Sequence, residues 1–130
     1  MFTIEQIIEA HSKVKSGADF PRYVQELISL GVSSYNTFVH DSHAEYSGKN
    51  GFYITSPAKY ATLEVAGISN KTQFGTALKA HQQGKTDYPA FCRHAAGAGV
   101  EKWIVDTDTM TCTYYDKAGN MMLSEKIPGI

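Results

Sequence analysis

The chain has 130 residues and a formal net charge of −1, with 12 Lys and Arg against 13 Asp and Glu and only 19% charged residues. So even a balance gives no electrostatic drive toward nucleic acid or an anionic membrane, and no apolar run approaches the ~18 residues that a membrane-spanning helix needs. The length predicts a single domain, residues 1–130, and the start MFTIEQIIEA has neither the basic region nor the apolar core of a signal peptide, so a cytoplasmic location is expected.

Thr3 precedes Gln6 by three residues, a capping box, with Phe2 and Ile7 at the flanking staple positions; a helix is predicted from residue 4. Its apolar face is Ile4, Ile7, Ile8, His11 and Val14, which puts His11 on the buried side. Ser16-Gly17 breaks it. Asp19 then caps a second helix with Pro21 in its first turn, Phe20, Tyr23, Val24, Leu27 and Ile28 form its face, and Gly31 stops it.

From Val32 the period changes to two, and Tyr35, Thr37 and Val39 share one face of a strand. After a turn at His40-Asp41-Ser42, a strand through Ala44-Glu45-Tyr46 and another over Phe52 to Thr55 flank Asn50-Gly51, a strong hairpin signal. Pro57 interrupts, and the alternation of Tyr60 to Val65 predicts an extra strand over about 60–65. Asn70 with Gln73 starts a third helix carrying Phe74, Ala77, Leu78 and His81. Asp87 caps a fourth, whose face is Tyr88, Phe91, Cys92, Ala95 and Ala96, and three strands follow at Lys102 to Asp106, Thr111 to Tyr115 and Asn120 to Lys126.

The second half rewrites the first. Asp19-Phe20-Pro21 returns 68 residues later as Asp87-Tyr88-Pro89, and at that offset Tyr23 meets Phe91, Tyr35 meets Trp103 and Tyr46 meets Tyr114. Positions 19 to 51 give seven identities at this offset, where average residue usage gives about two by chance. Upstream, Ala10-His11 matches Ala80-His81 at an offset of 70. The predicted fold class is therefore α+β: an internally duplicated helix-helix-strands unit, pseudo-repeats at about 3–55 and 73–123, with helices on one face of a mainly antiparallel sheet.

These features resemble the YdfO-like group of small bacterial and prophage-encoded proteins, some labelled phage envelope protein. The resemblance rests on His81-Gln82-Gln83-Gly84-Lys85-Thr86-Asp87-Tyr88-Pro89, on Phe91-Cys92, on Ala98-Gly99-Val100 with Trp103, and on Met110-Thr111-Cys112-Thr113-Tyr114-Tyr115-Asp116. It implies a small α+β domain of unknown biochemical role and supplies no catalytic or binding residues.

Motifs that carry chemistry are sparse. Gly97-Ala98-Gly99 closes a helix instead of opening one, the wrong polarity for phosphate, and Cys92 and His94 at i, i+2 do not face each other. Cys92 and Cys112 read as buried free thiols. His40 and His43 with Asp41 have a metal-like spacing, but in a turn residues three apart are expected to diverge, so no metal and no cofactor is predicted.

His11 and His81, on matching apolar helix faces, are either core histidines satisfied by a carbonyl or a tyrosine, or a pair lining a pocket near the axis between the halves, with Asp87 and Trp103 beside them. The strand aromatics, with only Lys102 and Lys126 interleaved, argue against a nucleic-acid platform; Phe52 and Tyr115 are expected to point outward as an interaction surface, as in a homodimer. The leading expectation is thus a non-enzymatic binding or interaction protein of prophage origin, and the alternative is a small-molecule site, possibly enzymatic, between the halves.

Overall fold

The computed structural model describes residues 2–128. In chain order it has α1 (Ile4–His11), a 3-10 turn (Gly17–Asp19), α2 (Phe20–Leu30), β1 (Ser34–Phe38), β2 (Ala44–Ser47), a 3-10 turn (Lys49–Gly51) and β3 (Tyr53–Thr55). Then come α3 (Lys71–Gln82), α4 (Tyr88–Gly97), β4 (Val100–Asp106), β5 (Thr111–Asp116) and β6 (Met121–Lys126). The six strands form one antiparallel sheet in the order β3-β2-β1-β4-β5-β6, an α+β fold.

Local chemistry sets most of these boundaries. Thr3 and Gln6 make both bonds of the capping box, and Asn70 accepts from the backbone N–H of Gln73. Gly31 ends α2 with φ of 101°, where a side chain would be strained, and hands the carbonyls of Ile28 and Leu27 to the N–H groups of Gly31 and Val32. Asp19 departs from its expected role. It makes no side-chain cap on α2; its carboxylate instead accepts from the N–H groups of Lys15 and Ser16, closing the 3-10 turn before the helix.

The seam of the sheet is the β1–β4 pairing, where Asn36 lies opposite Ile104, Tyr35 opposite Val105 and Thr37 opposite Trp103. At the 68-residue offset Asn36 corresponds to Ile104, Tyr35 to Trp103 and Thr37 to Val105, so the register is the same whichever half it is read from. Alternate residues face the helices: Tyr35, Ala44, Tyr46, Trp103, Val105, Cys112 and Tyr114 are buried, together with Val24, Leu27, Phe74, Phe91 and Cys92 from the helices. Both cysteines are free and buried.

Residues 60–65 correct the expected extra strand: they form none. The segment pairs with neither edge strand, β3 or β6, and serves as a strap fastened one point at a time. Its backbone donates from Lys59 to the Asp41 carbonyl, from Leu63 to His40 and from Ala66 to Ala96, the Tyr60 hydroxyl donates to the Val39 carbonyl, and Val65 is buried. Its side chains do not alternate strictly either: Tyr60, Leu63 and Val65 turn inward, while Ala61, Thr62 and Glu64 are exposed.

Candidate functional site: an aromatic pocket between the halves

Between the helices and the inner sheet face lies a pocket of about 600 Å3, its open mouth included. Its wall is aromatic. Phe20, Tyr23, Tyr35 and Tyr46 come from the first half, and Tyr88, Phe91, Trp103 and Tyr114, the residues 68 positions later, come from the second. His11 and His81 both line it, as do Thr37, Leu78, Gln82, Lys59 and Glu125. Each aromatic is delivered by one of two periodicities: i, i+3 on the helix pairs and alternation on β1, β2, β4 and β5.

The rings hold one another by edges and faces. His11 sits edge-on to Tyr88 and Tyr23, at centroid distances of 4.7 and 5.2 Å, and Tyr35 stacks on Tyr46 at 5.1 Å. The Tyr23 and Tyr46 hydroxyls lie 3.0 Å apart, bonding helix to sheet. His81 stacks on Phe91 at 4.3 Å, and its Nδ1 is 3.1 Å from the Thr86 carbonyl oxygen. A carbonyl only accepts, so Nδ1 carries the proton and Nε2 is the lone-pair nitrogen. His81 is thus bonded to a backbone carbonyl and also lines the pocket.

Gly17 is what lets this side close. A Cβ there would lie 2.7 Å from the His81 ring and 2.9 Å from the backbone N of Gln82, so the 3-10 turn abuts α3 only because it begins with glycine.

The pocket holds its titratable groups mostly uncharged. Burial, aided by the charge of Lys59, lowers the His11 pKa to about 4, and burial lowers that of His81 against the opposing bond from Thr86. Burial also pushes the hydroxyls of Tyr23, Tyr35, Tyr88 and Tyr114 well above their usual range. Lys59 reaches in from the strap. Much of the residue is exposed, but its ammonium lies 5.8 Å from the Tyr88 ring centre, and burial of that end brings its pKa to about 8, so it is mostly cationic at neutral pH. At the rim Gln82 donates to Glu125 at 2.8 Å, and burial raises the Glu125 pKa against that bond.

Of the residues singled out in the sequence, His11, His81 and Trp103 meet in the pocket wall. Asp87 does not: its carboxylate is exposed and accepts from the N–H of Ala90 as the cap of α4. Phe52 turns toward the core, edge-on to Phe2 at 4.7 Å, because the residue that faces out at this edge is Tyr53, 54% exposed. Tyr115 lies half-buried on the outer sheet face, with the Lys102 ammonium 5.9 Å above its ring. Lys59 and Glu125 escaped sequence reasoning, since neither belongs to a motif and each reaches the pocket from a distant segment. Phe20 and Tyr88 were legible as an aromatic pair matched between the halves.

His40 and His43 also correct an expectation. They do not diverge. Their rings are 5.4 Å apart and both contact Asp41, the Nδ1 of His43 at 2.6 Å and the Nε2 of His40 at 3.4 Å. The reason is Ser42, whose φ of 61° folds the turn back on itself, and which is held by its buried hydroxyl 2.6 Å from that of Tyr88 and by its N–H on the Phe38 carbonyl.

An uncharacterized protein of Mycobacterium bovis and two of Mycobacterium tuberculosis are each 41% identical to this chain over 98 residues. The match takes in 74% of the chain and 59% of each relative, so the chain spans well under two thirds of the length of these proteins. A family described as a protein of unknown function, DUF1398, matches residues 8–126, a span that contains every pocket residue named above, and the chain belongs to that family.

Proposed function

We propose that this chain binds a small, flat, largely apolar molecule in the pocket between its halves, with an anionic or acceptor group directed to Lys59. The supporting observation is the inward turn of the matched aromatics: Tyr35, Tyr46, Trp103 and Tyr114, strand rings that an outer interaction face would have required to point away from the helices, are all buried on the pocket side. Aromatic walls with a few converging polar groups are the usual composition of a small-molecule site. Neutral His11, the lone pair on His81 and the tyrosine hydroxyls offer hydrogen bonds without the desolvation cost that a charged wall would impose.

The same reading extends to origin. The matched positions and the self-consistent β1–β4 register support copying of one helix-helix-strands unit, with the ligand on the axis between the copies. The runs between residues 80 and 127 support placement in the YdfO-like, prophage-encoded part of the family.

Trp103 is the single tryptophan and lines the pocket, so its emission reports on occupancy directly. Titration with a panel of planar aromatic carboxylates and their neutral amides is expected to give saturable emission changes and a rise in Tm for some members, by mass action. Lys59→Met should weaken the carboxylates by about tenfold and leave the amides nearly unchanged, the scale of one charge-assisted bond. Should no panel member move either the emission of Trp103 or the Tm, the reading is wrong.

A further inference from the structure

We propose that His40, Asp41 and His43 form a binding site for a divalent first-row transition metal, with zinc the best match to the donor set. The site lies on the strap side of the fold and is independent of the ligand proposed for the aromatic pocket.

The argument starts from convergence. One ligand atom from each of the three side chains lies within 4.8 Å of the other two, all are half-buried, and all come from one four-residue turn. Such a turn brings three donors together only when its backbone doubles back, and here it does so at Ser42, a non-glycine residue at φ of 61°. The doubling is fixed from several sides. The Ser42 hydroxyl meets that of Tyr88 and its N–H bonds the Phe38 carbonyl; the strap bonds the carbonyls of Asp41 and His40 through the N–H groups of Lys59 and Leu63. The rings are also positioned: His43 stacks on Phe38 at 4.6 Å with 8° between planes, and His40 stands across it. A preorganised donor set loses little entropy on taking an ion.

The donors themselves select the class of ion. Two imidazole nitrogens and one carboxylate oxygen suit zinc and its borderline neighbours; calcium and magnesium prefer oxygen alone. The two Asp41 oxygens have separate work. Oδ1 accepts the backbone N–H of His43 at 2.9 Å and faces its Nδ1; Oδ2 faces Nε2 of His40 and is the oxygen free to ligate. Three protein ligands leave a coordination position for water.

The test uses the full chain, stripped with chelator, and Zn2+ and Co2+ as probes. Isothermal titration is expected to show one Zn2+ per chain, and Co2+ should develop visible ligand-field bands that Zn2+ abolishes. His40→Ala and His43→Ala should each weaken binding by at least about tenfold, by the scale of losses seen even for outer-shell partners of metal ligands. His94→Ala, on the exposed side of α4, should bind as the parent does. Asp41→Asn is the variant that keeps an acceptor for the His43 N–H; its Trp103 emission should match the parent while its Zn2+ affinity falls. Failure of the stripped chain to take up either ion, or stoichiometric binding that survives His40→Ala and His43→Ala, overturns the proposal.

Discussion

The hydroxyl of Tyr23 on α2 lies 3.0 Å from that of Tyr46 on β2, both rings buried, so one hydrogen bond ties the helical layer to the sheet in the pocket wall. Removing one partner leaves the other hydroxyl in an aromatic site. Tyr23→Phe is expected to cost about 1–2 kcal/mol, the penalty of a stranded buried polar group, and to lower Tm by roughly 3–8 °C. Tyr23→Phe with Tyr46→Phe should cost less than the sum of the singles, since no hydroxyl is then left unpaired; chemical denaturation of the four proteins measures the coupling.

His11 makes stability depend on pH in a defined window. Its folded pKa of about 4 lies below the ordinary 6.5, so the unfolded chain takes up this proton first as pH falls. The contribution is complete above pH 6.5 and is lost as pH drops toward 4. At about 1.4 kcal/mol per unit the loss reaches at most about 3 kcal/mol, less for whatever part of the ring solvent screens. His11→Phe should flatten this part of the stability curve. In NMR titration the His11 ring should titrate near pH 4, and Lys59→Met should move its midpoint upward, since the lysine charge is the second cause of the shift.

Two glycines should respond with opposite sign to the same substitution. Gly17→Ala forces a Cβ to 2.7 Å from the His81 ring and is expected to destabilise by about 1–3 kcal/mol while perturbing Trp103 emission through the pocket wall. Gly75 sits inside α3 with nothing within 4 Å of an added Cβ, so Gly75→Ala should stabilise by about 0.5–1 kcal/mol through helix propensity. Thermal denaturation of the pair checks both signs.

Phe52 and Tyr115 separate packing from association. Phe52→Ser removes the ring that meets Phe2 and should cost about 1–3 kcal/mol, short of a fully buried phenylalanine. Tyr115→Ser, on the outer face beside Lys102, should stay within about 0.5 kcal/mol of the parent. Its cross-strand partner Met121 is exposed, and the bonded hydroxyls of Thr113 and Ser124 lie beside the pair; sedimentation velocity is expected to give the same mass for Tyr115→Ser and the parent, and a lower mass for the variant would place an interface on this face.

By itself the sequence determined the features that neighbours along the chain decide. Thr3 with Gln6, Asn70 with Gln73, Gly31 at the end of α2 and the shared strand face of Tyr35 and Thr37 depend on residues within one turn or one pleat, and they stand in the structure as read. The sequence reading placed His11, His81 and Trp103 beside a pocket, and the structure puts all three in one wall; the strand rings Tyr35, Tyr46 and Tyr114, read there as candidates for an outer face, line it as well. Only the tertiary structure decided the rest. Whether the 60–65 segment becomes a strand depends on where its backbone finds partners, and here Leu63 bonds the His40 turn while Lys59 and Ala66 on either side bond Asp41 and Ala96, none of them in an edge strand. Lys59 and Glu125 join the pocket, and His40 closes on His43, through bonds to segments far away in the chain. Local propensity has no term for such contacts, since they exist only after the layers have packed.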